Sequence, residues 1–463
     1  MTSVRSLGIP ELAGVASYAG AARIGYSVDE NVRRLLRCHW VERGLMTTML
    51  AHLPSTPVWE VKCALALHQW QSSLRIDALR RRIAEMRSPV PPLDASPDPA
   101  LGAFVEELLR AGDQVELVAG IYGVALPALA SAYDEHLART NALVDHPTRQ
   151  LLRPALADLG EAVAWGSAAR SALVADDPAA AARAGDWRDH LTQSLEAAGG
   201  IGGGAPTPAQ TPRALPPARA QQPFTPDFHP RRDDRFRGQY NFEFPPHVVY
   251  SAPDVPADER NLALLCKRTL EMDVPEMIAS FLVERSDEPW EFYRDYSRQL
   301  WDEARHAMMG TVAFESRGVD WSQLPLNVGF PLRLNFHATP VERQVILFAI
   351  EQSLMPSDTG KRLERQTAED AGDALSAHFQ DYDWADEVLH AQIGRRQLRR
   401  EGVTPQEAMT RAREIHEATW RALDAYRHLD EQRDWWPDFV RSVLGKESAV
   451  RKEELGELRI LAE

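Results

Sequence analysis

Cysteine is nearly missing from this chain of 463 residues: only Cys38, Cys63 and Cys266 occur, at spacings that build neither a disulfide framework nor a Cys-based zinc site. That scarcity fits a reducing compartment. Long apolar runs are also missing. Nowhere do 18 apolar residues follow one another, and no basic stretch near residue 1 leads into an apolar run. The sequence therefore predicts a cytoplasmic protein, neither secreted nor membrane-spanning. Positive charge is in deficit, with 52 Lys and Arg against 67 Asp and Glu, a net charge of -15. Such a balance opposes attraction to nucleic acid or an anionic membrane surface. The densest basic cluster, Arg395, Arg396, Arg399 and Arg400, closes a predicted helix, where cations offset the helix dipole. Strand signals are few and helical periodicity runs throughout, so the expectation is an all-α protein with room for two or three domains.

Two short stretches carry chemistry. Trp301–Met309 reads WDEARHAMM and Trp384–Ala391 reads WADEVLHA, each containing Asp-Glu-x-x-His. Of the 14 His, only His306 and His390 have a glutamate, Glu303 and Glu387, three positions earlier. On a helix that spacing stacks carboxylate and imidazole on one face, so each pair can offer an oxygen and a nitrogen to one point. Two such helices facing each other form a two-metal cage, provided two more helices each contribute a glutamate.

Both carboxylates can be found. Upstream of Glu303 the run ALLCKRTLEMDVPEMIASFLVER offers Glu271 and Glu276. Glu271 is favoured because a helical hairpin of about 30 to 35 residues returns to its own height. Upstream of Glu387, Glu351 is the acidic residue of the apolar segment between Gln344 and Pro356, whereas Glu342 serves a capping box, Thr339-Pro340-Val341-Glu342. Four ionised carboxylates in an apolar bundle would be prohibitive alone, and two divalent cations cancel their charge. Asp302 and Asp386 are turned about 100° from the neighbouring glutamates. They suit the second N–H of a histidine on the adjacent helix, as second-layer partners fixing the imidazole tautomer. Asp383, one turn before Glu387, is a candidate extra ligand. Trp301 and Trp384 are read as core residues.

The chain divides into a helical domain over 1–197, a Gly/Pro-rich linker and arm over 198–236 and a metal-binding domain over 237–463. In the first, helices are expected near 29–53, 57–87, 100–140 and 147–175. This half aligns with the later one: GIYGVALP (120–127) lies over AIEQSLMP (349–356), SSLRIDAL (72–79) over DEARHAMM (302–309), and ADLGEAVAWG (157–166) over ADEVLHAQIG (385–394). Ser73, Ile76, Tyr122, Leu159 and Ala162 then stand at the positions of Glu303, His306, Glu351, Glu387 and His390. The expectation is a duplicated bundle that has lost its ligands and packs, lines an entrance or forms a homodimer surface; His39 and Glu42 are its one residual metal-type pair. In the metal-binding half, helices are expected over 256–284 with a kink at Pro275, 289–318, 340–355 and 358–400, then from Thr404 and after Trp435-Trp436-Pro437.

The assembled residues resemble the ferritin-like di-iron superfamily. DEARH is similar to the Asp-Glu-x-Arg-His signature of bacterial di-iron monooxygenases. DEARHAMM followed by FESRGVDW and DWADEVLHAQIG, with RRDDRF upstream, resembles a bacterial ferritin-like family of mostly unknown function related to tRNA-hydroxylase-like proteins. The likeness covers 228–400 in detail. It reaches the first half only as helices and implies a four-helix bundle holding two Fe ions (Fe2+/Fe3+, with Mn as the competing metal) bridged by Glu303 and Glu387 or their partners, and O2 activation. With the internal alignment, the expectation is two ferritin-like bundles, the first degenerate. Expected partners are O2, a small-molecule substrate and an external electron donor, with no membrane; the acidic charge disfavours nucleic acid. The expected activity is oxidation of a metabolite by hydroxylation, N-oxygenation or desaturation; a ferroxidase without organic substrate and a tRNA-modifying hydroxylase are the alternatives. The stretch between Glu351 and Glu387, with Pro356 and Gly360, is longer than that family's pattern.

Overall fold

A computed structural model describes residues 8–204, 214–236, 238–241, 246–355, 360–429 and 435–450. Every regular element among them is helical. The chain forms two compact units. One comprises Met1–Met49 with His68–Thr225, the other Leu50–Leu67 with Pro226–Glu463. The division expected across 198–236 thus falls at Thr225, and a short piece of the first half groups with the second.

In the first unit the main helices are α1 (Val28–His52), α2 (Trp59–Met86), α3 (Pro99–Leu108), α4 (Gln114–Gly120), α5 (Leu126–Arg139), α6 (His146–Leu173) and α7 (Pro178–Ala197); the Leu50–Leu67 segment of α1 and α2 belongs to the second. The single helix expected over 100–140 is interrupted. Asp113 caps α4 by accepting from the Val115 and Glu116 amides, and a π-helical turn, Ile121–Ala125, separates α4 from α5. Gln114–Arg139 is long and apolar enough to cross a membrane, but 72% of its most apolar window is buried within the protein, as in a core helix. Helix α7, over residues that carried no helix expectation, packs on α3 and α4.

The Gly/Pro-rich stretch is less loose than its composition suggests. Ile201 is buried, and Arg37 donates to the carbonyls of Ala198, Gly200 and Ile201. Further on, Arg219 pairs with Glu116 and covers the Trp187 ring. The remainder of that stretch, 205–213, lies outside the described residues.

The second unit contains α8 (Ala257–Leu270), α9 (Asp273–Glu284), α10 (Trp290–Glu315), α11 (Gly329–His337), α12 (Pro340–Ser353), α13 (Lys361–Asp370), α14 (Ala374–Arg400), α15 (Pro405–Ala422) and α16 (Trp436–Leu444). The expected kinked helix over 256–284 is two helices. Proline lacks an N–H, and its ring meets the carbonyl four residues earlier, here that of Glu271, so the chain breaks at Glu271–Met272 and restarts with Pro275 in its first turn. The expected helix over 358–400 is also split. Gly372, at φ +69, ends α13, and Asp373 accepts from the Ser376 amide to open α14. Pro356 lies outside the described residues.

Other boundaries fall where local chemistry puts them. Gly318, at φ +66, closes α10, with the Val319 amide donating to Phe314 and that of Gly318 to Glu315. Capping boxes at Thr339/Glu342 and Thr404/Glu407 open α12 and α15. The broken rod α8–α9, α10, α14 and α12 pack in a ring of four, and α13 lies on α8 and α14. At Gly310 a Cβ would stand 2.8 Å from the Thr269 backbone nitrogen. That absent side chain lets the end of α8, and with it Glu271, approach α10 one turn after His306. The RRDDRF segment docks on α9, where Arg232 pairs with Asp273 and Glu276.

Candidate metal centre

Inside the ring, side chains from α10, α12, α14 and the α8–α9 break converge. Glu303, Glu351, Glu387 and His390 form one group and Glu271, His306 and Asp383 another, the ligand-type atoms within each lying no more than 4.8 Å apart. The structure thus gathers all six residues expected from the sequence, with Asp383 among them. Glu276 is elsewhere, buried against Lys62 and Arg232.

The two halves share their carboxylates. His390 Nδ1 lies 3.2 Å from Glu303 Oε1, 3.2 Å from Glu387 Oε2 and 3.9 Å from Glu351 Oε1. His306 Nδ1 lies 3.6 Å from Glu303 Oε2, 4.0 Å from Glu387 Oε1, 3.9 Å from Glu271 Oε2 and 3.1 Å from Asp383 Oδ1. Glu303 and Glu387 therefore each turn one oxygen toward each imidazole, while Glu351 and Glu271 stand at opposite ends. The aspartates cross over between helices: His306 Nε2 donates to Asp386 at 3.2 Å and His390 Nε2 to Asp302 at 3.3 Å. Arg305 clamps both aspartates at 2.6 Å, and Arg298 adds a bond to Asp302 at 2.7 Å. Each Nδ1 is thereby aimed inward.

Burial and charge collide here. Both imidazoles are fully buried, and Glu303, Glu351, Glu387 and Asp383 are 3% exposed or less. Burial alone would lower the His306 pKa, but Asp383, Asp386 and Glu303 outweigh it and raise it to about 10. His390 is raised likewise, against burial, by Asp302, Glu303 and Glu387. Burial, reinforced by Glu387, holds Glu351 well above the carboxylate range, and burial lifts Glu271 to about 7 despite Arg268. Burial and Glu387 push Glu303 upward, yet the two imidazoles hold it down to about 2. Without cations between them the charge is answered by protons, held on the two imidazoles and on Glu351 while Glu303 stays ionised, and the same donor atoms can trade those protons for metal.

Unpartnered atoms support that exchange. Glu271 Oε2, Glu351 Oε2 and His306 Nδ1 are buried without a hydrogen-bond partner. Buried polar atoms are costly unless something completes them. Four glutamates and two imidazoles make an oxygen-rich, borderline set suited to Fe2+ or Mn2+.

Four residues at the centre lacked any motif to announce them. Gln299, one turn before Glu303, donates to Glu351 Oε1 at 2.9 Å. Lys361 and Glu364 come from α13, and Arg268 from the last turn of α8. Lys361 Nζ is 2.9 Å from Glu387 Oε1 and 2.9 Å from Asp383 Oδ2; Arg268 pairs with Glu271 at 2.7 Å, with Glu364 at 3.1 Å and with Asp383. The only local signals are the i,i+3 spacings of Lys361 with Glu364 and of Arg268 with Glu271 and the i,i+4 spacing of Gln299 with Glu303, which many surface pairs share. Trp301 and Trp384, expected in the core, are partly exposed.

The residual pair of the first unit forms no metal-type group among the described residues. Glu42 is neutralised by Arg75 and accepts from the Tyr133 hydroxyl at 3.0 Å, while His39 Nε2 faces Arg80 at 3.5 Å. Searches of protein families, curated proteins and solved structures returned no match to this chain.

Proposed function

We propose that the second unit is a ferritin-like, non-haem di-iron oxygenase or oxidase that uses O2 to oxidise a small metabolite. The observation carrying this reading is the symmetric placement of Glu303 and Glu387 between two inward-facing Nδ1 atoms, with one more glutamate at each end. Glu271, Glu303, His306, Glu351, Glu387 and His390 would hold the ions, which when bound would supply O2 activation and accept electrons from the external donor and the substrate. Asp302 and Asp386 hold the Nε2 protons and so fix which nitrogen each imidazole presents. Gln299 orients Glu351 by donating to Oε1, the oxygen that also faces His390. The closed ring keeps bulk water from the buried donors. An external donor supplies electrons, and the acidic net charge favours a small substrate over RNA.

The test is anaerobic loading with ferrous ion followed by O2, read by metal analysis and Mössbauer spectroscopy. Two irons per chain are expected with excess metal, and Glu387→Ala should lose both. An unchanged metal count in that variant contradicts the ligand set. Substrate-dependent O2 uptake marks an oxygenase; stoichiometric iron oxidation without any organic substrate marks a ferroxidase.

A further inference from the structure

The two halves of the cage are built alike in ligands and unlike in counter-charge. On the Glu303/Glu351/Glu387/His390 side, no Lys or Arg among the described residues pairs with Glu303 or Glu351; the only added partner is the neutral amide of Gln299. The Glu271/His306/Asp383 side already contains fixed cations. Both oxygens of Asp383 face Lys361 Nζ, at 3.1 and 2.9 Å, and Asp383 also pairs with Arg268. Glu271 Oε1 is taken by Arg268 at 2.7 Å. Lys361 also sits 2.9 Å from Glu387 Oε1, the oxygen turned to His306, while Oε2, turned to His390, is left to that imidazole.

Neither cation can swing into water. Lys361 and Arg268 are each 1% exposed, and Glu364 with the Tyr250 hydroxyl bonded to it backs them from behind. An ion entering the His390 side meets carboxylates awaiting a positive charge. One entering the His306 side must displace ion pairs already made and then share the space with a buried ammonium, a repulsion strengthened by low local polarity.

Resting on the metal-binding reading above, we infer that the cage fills in order, the Glu303/Glu351/Glu387/His390 half first, and that Lys361 sets the order. It is a positioning residue: it acts through Asp383 and Glu387, holding their oxygens away from the second ion. Asp383, in ligand position by distance, is engaged by cations and becomes available only when they yield. A one-ion form should therefore persist over a range of metal concentration.

The experiment uses the full chain titrated anaerobically with Mn2+, with free ion and Mn–Mn coupling followed by electron paramagnetic resonance. The first ion should bind at least about tenfold more tightly than the second. At one equivalent, the signal should be that of isolated Mn2+. Lys361→Met should narrow the gap by about tenfold or more, whereas Lys361→Arg, which keeps the charge, should retain it. Glu351→Gln should weaken the first step selectively. Helix content by circular dichroism checks that each variant folds. Coupled pairs at one equivalent, or an unchanged gap in folded Lys361→Met, overturn the ordering while leaving the metal reading in place. No bound ion in the wild type at any concentration removes the metal reading and this inference with it.

Discussion

The two units solve the same problem, a carboxylate buried among helices, in opposite ways. In the first, Glu42 is fully buried and meets Arg75 and the Tyr133 hydroxyl, so its charge is answered within the protein. The neighbouring interior is filled by side chains: Ile76 and Leu159 are fully buried, and Tyr122 hydrogen-bonds His68 at 2.7 Å. In the second unit, Glu303 and Glu351 are also buried, but among the described residues no Lys or Arg pairs with them; imidazoles, the Gln299 amide and the Glu387 carboxylate lie beside them. A completed ion pair is a structural device, whereas an uncompleted cluster of such groups could hold an ion. Composition cannot separate the two, because both units bury acidic side chains.

The comparison breaks most readily at Arg75. Arg75→Met should destabilise the first unit by about 3–5 kcal/mol, because Glu42 is left buried and unpaired. By contrast, Glu351→Gln in the metal-free second unit should cost little or even stabilise, since it removes a carboxylate that burial already holds in its protonated form. Denaturant midpoints read both; equal losses would erase the distinction.

Metal should sharpen the comparison almost as strongly. At a thousandfold excess over the dissociation constant, ferrous or manganous ion should stabilise the second unit by about 4 kcal/mol, seen as slowed amide exchange in α10 and α14. Exchange in α4 and α6 should not change. Because His306 and His390 hold protons in the ion-free cage, uptake should release protons and weaken as the pH falls, measurable by titration calorimetry in buffers of different ionisation enthalpy.

A smaller effect concerns acid stability in the first unit. Burial would raise the Asp145 carboxyl, but His136, Thr140, Thr148 and Arg82 outweigh it and hold it at about 2. A depressed folded-state value contributes stability above the unfolded value near 4, and that stability is lost as the pH falls toward 2. Asp145→Asn should flatten the stability of the first unit across that range by about 1–2 kcal/mol. Smallest of all, Thr339→Ala removes the α12 cap for about 1 kcal/mol and should leave metal affinity unchanged.

Much of the centre was legible because its signals are local. A glutamate three residues before a histidine shares its helix face wherever that helix goes, so Glu303/His306 and Glu387/His390 could be named from spacing alone. The aspartates preceding those glutamates could be assigned to the opposite imidazoles by the same rotation, and the hydrogen bonds to Asp302 and Asp386 agree. Capping boxes at Thr339 and Thr404 and the Gly318 stop are equally local. The missed features depend on what meets what. Pro275 signals only a kink, yet the clash falls on the carbonyl of Glu271, and the chain breaks there into α8 and α9.

By itself, then, the sequence determined the helical class, the paired motifs and the caps, since periodicity and spacing act within one helix, while Glu271 and Glu351 could be named from the return distance of a helical hairpin. Tertiary structure alone decided that α13 folds back at Gly372, that Arg268 and Lys361 enter the cage, and that the two halves differ in charge. The physical reason is range: a buried ion pair between α8, α13 and α14 is fixed by packing across residues far apart in the chain, and no periodicity links Arg268, Lys361 and Asp383 before those helices meet.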